Sequence, residues 1–264
     1  MSIITISRGS YSKGKEIAEK VAEKLNYECI SRDILIEASE HFNISKVKLI
    51  RAIHDAPSVL NRFTHGRERY IAYICEALLE HVEKDNVVYH GLAGHFFLQG
   101  VPHVLKIRIT ADLDNRVRNE AERENITHDE ARKILVKDDQ ERRNWAITLY
   151  GMDPWDSRIY DMTIHIGFVT VDDAVNLILQ TVKLPCFQRT DESQRKLQDL
   201  LLAARVQAVF PNEKVLAKDG VVIVNVEAPL IFEKRVADEI TQRIDKIQGV
   251  KEIRVNVMPT FESD

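Results

Sequence analysis

Ile3-Ile4-Thr5-Ile6-Ser7-Arg8-Gly9-Ser10-Tyr11-Ser12-Lys13-Gly14-Lys15-Glu16-Ile17-Ala18 decides the reading of this chain. Ile3 to Ser7 is a short β-branched run of strand length. Residues 8–15 are a loop rich in small residues. Beyond it Ile17, Val21 and Leu25 recur every four residues, flanked by Ala18 and Ala22, so a helix starts near Gly14 and Asn26 ends it. Tyr27-Glu28-Cys29-Ile30 then reads as a second strand. Strand, glycine loop, helix, strand is the opening of an α/β parallel sheet.

The loop fits G-x-x-x-x-G-K, placed between strand and helix as a phosphate cradle requires. Small residues let backbone N–H groups curl around phosphate oxygens, and the start of the following helix adds partial positive charge. Gly9, Ser10, Ser12, Lys13, Gly14, Lys15 and Glu16 are the candidate cradle, with Lys15 reaching a transferred phosphoryl group. The usual next residue is Ser or Thr, whose hydroxyl binds Mg²⁺. Here Glu16 and then Ile17 follow, and Ile17 cannot ligate metal. The plain alternative is a glycine turn leading into a helix.

Working outward, residues 32–81 read as mostly helical, broken at Asp55–Ser58 and Thr64–Gly66. Val87 to His90 is a third strand and His103 to Thr110 a fourth. Residues 112–124 form a charged helix. Thr127-His128-Asp129-Glu130 resembles a capping box that opens another helix, running to about Leu149. Met162 to Ile166 is a fifth strand, and Asp172 to Val182 a closing helix. The composition shifts at residues 184–192, a linker. It separates a first domain over residues 1–183 from a smaller one over 193–259, with the order α-β-β-α-β. Asp219-Gly220 supplies the tight turn of its hairpin. The fold class is therefore α/β, a five-stranded parallel sheet flanked by helices plus a small C-terminal α/β domain.

Composition narrows the function classes. The 264 residues carry 37 Lys and Arg against 41 Asp and Glu, a formal net charge of -4, which disfavours nonspecific nucleic-acid binding. With 44% hydrophobic and 30% charged residues, a packed core is expected. Apolar runs such as Val221–Val224 are strand-sized, so no transmembrane helix is expected, and the N-terminus does not read as a signal peptide. Cys29, Cys75 and Cys186 have no paired spacing and suit reduced thiols in the cytoplasm.

The second half of the first domain is rich in arginine. Arg116, Arg118 and Arg123 share one charged helix, and Arg142 and Arg143 follow Asp138-Asp139-Gln140-Glu141 on the next. A mobile segment carrying arginines neutralises the charge of a transferring phosphoryl group and excludes water on closing. The bland reading is a solvated helix face with i,i+4 ion pairs.

These residues together resemble the cytidylate kinase-like family, a branch of the P-loop nucleoside monophosphate kinases. The resemblance rests on Ile6-Ser7-Arg8-Gly9 through Gly14-Lys15-Glu16-Ile17-Ala18 and on Ser31-Arg32-Asp33-Ile34-Leu35. It extends to Asp138-Asp139 with Arg142-Arg143, then Tyr150-Gly151, Trp155-Asp156 and Tyr160-Asp161, covering roughly residues 1–183. It implies a five-stranded parallel sheet, ATP with Mg²⁺ as donor, and CMP or dCMP as acceptor. By position, Lys15 would hold donor phosphates, with Arg116, Arg123, Arg142 and Arg143 as lid cations, and Arg32, Asp33 and His95 would lie at the acceptor. Four positions depart from the pattern. Tyr11 and Lys13 stand where the family tends to glycine, so their side chains are expected to crowd the cradle. Leu92 replaces an arginine expected at the acceptor phosphate, and His95 a carboxylate. Residues 193 to 259 resemble a BON-type domain, a module associated with membrane surfaces or protein contacts; the plain alternative is an accessory or dimerisation domain.

Three functions are compatible with these residues. The first is ATP-dependent phosphoryl transfer to a nucleoside monophosphate. The second is a catalytically impaired nucleotide-binding regulator whose terminal domain meets a partner or membrane. The third is a binding module on a scaffold that takes no nucleotide.

Overall fold

A computed structural model of the chain describes residues 2–31, 67–91 and 94–259. The helices and breaks expected over residues 32–66 lie outside the described residues, as do Arg32, Asp33 and Leu92. The described elements run β1 (Ile3–Arg8), α1 (Gly14–Leu25), β2 (Glu28–Ser31), α2 (Arg67–Val82), β3 (Val87–His90) and α3 (Gly94–Phe97). They continue with β4 (Val104–Ala111), α4 (Leu113–Glu124), α5 (His128–Tyr150), β5 (Met162–Ile166) and α6 (Val171–Thr181). Last come α7 (Asp191–Val209), β6 (Lys214–Lys218), β7 (Val221–Ala228), α8 (Glu233–Ile244) and β8 (Glu252–Pro259). The chain divides into two compact units, one taking the residues up to 63 with 84–190, the other 64–83 with 191–264.

The first unit is built on a five-stranded sheet in the order β2-β3-β1-β4-β5, every described pairing parallel. β1 lies at its centre because its apolar residues are buried on both faces: Ile3, Ile4 and Ile6 are at most 1% exposed. On one face Ile4, Ile6, Leu105, Ile107 and Ile109 pack against Ile17 and Val21 of α1 and Val175 and Ile178 of α6. Each such side chain contributes about 1.5–3 kcal/mol by leaving water. Helix ends follow local chemistry. Asn26 stops α1 in the left-handed conformation at φ 54. Thr127 and Glu130 form the expected capping box of α5, with the Thr127 side chain accepting the Glu130 N–H. Thr170 and Asp173 form a second at α6. At the far end from the loop, His103 and Arg189 face the buried Asp85 carboxylate at 3.2 and 2.9 Å.

The second unit has a three-stranded sheet ordered β6-β7-β8. The β6-β7 hairpin turns through Asp219 at φ 52 and Gly220 at φ 87, and β8 pairs parallel to β7. Its core joins Leu202 and Val206 of α7, Val222, Val224 and Val226 of β7, and Ile240 and Ile244 of α8. The helix α7 starts at Asp191, within the stretch read as a linker, because Asp191 and Glu192 favour the first turn. α2 belongs to this unit and is joined to α7 by Arg205 and Glu80 at 3.1 Å. Beside them burial pushes the Glu76 carboxyl up to about 7, the Glu80 charge adding to the effect.

Candidate active site

A parallel sheet collects its loops at the carboxyl ends of its strands, the usual place for a ligand crevice. There a cavity of about 410 Å³ opens in the first unit. β1 and the loop after it supply Ser7, Arg8 and Gly9; α1 supplies Lys15 and Glu19; β3 ends at His90 and Gly91. β4 adds Arg108 and α3 adds His95 and Phe96, while Asp139, Arg142, Arg143 and Trp145 of α5 form the opposite wall with Pro154 and Trp155.

The loop itself is strongly bent. Ser12 Oγ lies 3.0 Å from the carbonyl oxygens of both Gly9 and Ile109, tying the loop to β4. Tyr11 and Lys13 adopt left-handed conformations at φ 56 and φ 67. Each costs about 1–2 kcal/mol for a residue with a Cβ, which explains why the resembled pattern has glycine there. The expected crowding by these side chains is corrected by the structure, since neither lines the cavity. Tyr11 packs outward against Val117 and Ala121 of α4 and Ala131 and Leu135 of α5. The Arg123 guanidinium lies 4.3 Å from the ring centre and donates to the Tyr11 hydroxyl at 2.9 Å. Lys13 pairs with Glu16 at 3.6 Å.

α1 has no side-chain cap, and its first backbone bond runs from Ile17 N–H to Lys13 O at 3.1 Å. The amides of Gly14, Lys15 and Glu16 therefore have no partner within the helix. Near the start of the loop an anionic side chain is already held: the Asp139 carboxylate accepts the Ser10 N–H at 3.0 Å and pairs with Arg116 at 2.7 Å. A polyphosphate offers the same acceptor chemistry with more charge. A magnesium ligand after Lys15 does not fit. Ile17 is fully buried in the core, and Glu16 lies 3.6 Å from Lys13 and from Lys20.

The structure separates the predicted cations. Lys15 lines the cavity, 60% exposed, and meets Glu19 at 3.6 Å. Arg142 and Arg143 also line it. Arg143 grips Asp153 through Nε and Nη2, at 2.6 Å for the shortest contact, and stacks on Trp155 at 4.3 Å. It thereby holds the turn after α5 against the cavity, and its cation keeps the Asp153 carboxyl below the usual range. Arg116 sits at the loop. Arg123 is not among the cavity residues and is held by Tyr11, Glu120 and Glu124. His95 is buried beneath Phe96, and its Nε2 lies 3.1 Å from the Tyr160 hydroxyl.

Sequence reasoning passed over Arg108. It alternates with buried Ile107 and Ile109 on a core strand, and a charge at such a position is the signal that was available. Arg108 Nη1 donates to the Pro154 carbonyl and lies 3.5 Å from the Tyr160 hydroxyl. Trp155 carries no cavity signal in the sequence; its place against the cavity follows from its stacking with Arg143.

A family model described as the cytidylate kinase-like family matches residues 3–167. The chain belongs to the cytidylate kinase-like family. A cytidylate kinase of Sulfolobus acidocaldarius is 23% identical over 180 residues, spanning 68% of this chain and 93% of that protein. A cytidylate kinase of Desulfurococcus amylolyticus is 30% identical over 97 residues, 36% of this chain and 51% of that one. A solved structure of an uncharacterized protein from Eubacterium ventriosum is similar with a TM-score of 0.52 and 22% identity. It covers 69% of this chain and 98% of its own, and shows a shared fold alone.

Within this cytidylate kinase-like unit, burial pushes the His95 imidazole down to about 3, with the Arg108 and Lys106 charges adding to the effect. The folded state keeps it neutral where the unfolded chain, near 6.5, takes up a proton. The stability it contributes is full above pH 6.5 and is lost as pH falls toward 3. Urea unfolding is expected to show stability declining from pH 7 to pH 4, less steeply in His95→Gln. Identical slopes in the two proteins would locate the effect elsewhere.

Proposed function

We propose that the first unit transfers a phosphoryl group from ATP to a nucleoside monophosphate, with CMP or dCMP as acceptor. One observation carries this reading: Gly9 of the loop after β1 and Lys15 on the uncapped first turn of α1 line the same cavity as Arg108, Arg142 and Arg143. Membership of the cytidylate kinase-like family supports nucleotide kinase activity. In this reading amides of residues 10–16 and the Lys15 ammonium bind the donor phosphates. Arg116 and Arg142 neutralise developing charge, Arg143 holds the 153–155 turn as a wall against water, and Arg32, Asp33 and the His95 region receive the acceptor. Positioning and charge neutralisation do most of the work in such transfers, so no general base is assigned. ATP is the donor and is expected to be used with Mg²⁺ held by its own phosphates.

The test is a coupled assay with ATP, Mg²⁺ and a panel of CMP, dCMP, UMP, AMP and GMP. Turnover is expected to be highest with CMP or dCMP. ATP binding without turnover on any acceptor overturns the reading and favours the second one, a nucleotide-binding regulator. Glu16, where a metal-binding hydroxyl commonly follows the lysine, and the buried Ile17 after it are the observation that favours that alternative. Residues 193–259 are read as a BON-like domain after a linker at 184–192, contacting a protein, a membrane surface or a second copy of the chain. Among the described residues no helix is long and apolar enough to cross a membrane; we read the protein as cytoplasmic, with a nucleotide and not a nucleic acid as its ligand.

A further inference from the structure

The mouth of the phosphate loop is taken by a side chain of the chain itself. Asp139, on the cavity-facing side of α5, accepts the Ser10 N–H through Oδ1 at 3.0 Å. Arg116 Nη1 completes the arrangement, donating to Asp139 Oδ2 at 2.7 Å and to the Ser10 carbonyl at 3.0 Å. The pair is shielded, with side chains only 11% and 19% exposed, so the attraction is less screened than on an open surface. One loop residue further on, the Tyr11–Arg123 stack ties the same loop to α4.

We propose that Asp139 is an internal occupant of the phosphate subsite, which a nucleotide polyphosphate displaces as it takes over the Ser10 amide and Arg116. This rests on the phosphoryl-transfer reading above. A carboxylate and a phosphate oxygen accept the same hydrogen bonds, and two anions at one amide repel each other, so the two arrangements exclude one another. Arg116 is the group they compete for. With Asp139 in place its charge is neutralised; with a phosphate in place it is available to the ligand. Asp139 lies one helical turn before Arg142 and Arg143, so its release gives α5 the freedom to bring those cations toward the arriving charge. The occupied fraction of the loop acts as a tax on affinity: the apparent dissociation constant rises as the open fraction falls.

Asp139→Asn tests this, because the amide keeps an acceptor for Ser10 but loses the charge that holds Arg116 and opposes phosphate. By calorimetry, ATP is expected to bind Asp139→Asn about tenfold or more tightly than the unaltered protein, matching an open fraction of about 10% or less in the latter. In the unaltered protein, sodium tripolyphosphate is expected to shift the Asp139 carboxyl carbon resonance and release the Ser10 amide from its present bond. Equal or weaker ATP binding by Asp139→Asn overturns the proposal and leaves the kinase reading standing. So does an Asp139 resonance unmoved by saturating tripolyphosphate, a result that holds even if the variant folds poorly. If neither protein binds ATP or tripolyphosphate, both the phosphoryl-transfer reading and this proposal fall.

Discussion

Lys15→Ala is expected to lower turnover with ATP and CMP about 10²–10³-fold, the usual loss when one group that stabilises developing charge is removed. The Lys15 ammonium stands on the first turn of α1, 60% exposed, and its nearest carboxylate is Glu19 at 3.6 Å. An exposed pair of this kind contributes at most about 1 kcal/mol to stability, so the variant should unfold close to the parent midpoint. The loss belongs to the reaction because, among the described residues, the ammonium's ion pair is this exposed one with Glu19. Steady-state kinetics paired with urea unfolding separates the two effects. Unchanged turnover in a folded Lys15→Ala protein would remove Lys15 from the mechanism.

Gly94→Ala is expected to destabilise the first unit by about 1–3 kcal/mol, as overpacking in a filled interior does. A Cβ at Gly94 would stand 2.5 Å from Tyr89 Cδ1 and 2.7 Å from Cε1. The Tyr89 ring is 2% exposed and sits in β3, so it has no vacant direction in which to retreat. The same ring lies under Gly91, where a Cβ would meet the hydroxyl at 2.9 Å. Pushing Tyr89 therefore also disturbs the cavity edge formed by His90 and Gly91, and KM for the monophosphate should rise more than kcat falls. Gly167→Ala is the control, its nearest contacts being an ordinary 3.7 Å. Urea unfolding that leaves Gly94→Ala as stable as Gly167→Ala would contradict the packing described for α3.

How much of this was legible in the sequence depends on how local each cause is. β1, α1 and the loop between them could be read directly because period, glycine and asparagine act within a few residues. The start of α5 was equally plain, since Thr127 and Glu130 satisfy each other's backbone within one turn. Tyr11 was legible only as a misfit. Its direction is set by an apolar cluster from α4 and α5, more than 100 residues away in the chain, so the expected crowding of the cradle did not occur. Asp139 stands in a run of charges that looks like any solvated helix face. Its contact with Ser10 exists because α5 returns over the loop, which spacing alone does not reveal. Arg108 was hidden for a related reason: alternation shows that it faces away from Ile107 but not that a cavity lies there. Likewise α2 is amphipathic in sequence, and nothing local assigns it to the unit built on α7.

The central claim is that backbone amides after β1 hold the phosphates of a nucleotide. An amide NMR titration with a nonhydrolysable ATP analogue tests it most directly. The account predicts that the largest shifts fall on residues 10–16, with smaller ones near Arg116, Arg142 and Arg143. Saturable binding whose shifts leave residues 10–16 unmoved and cluster elsewhere would contradict it.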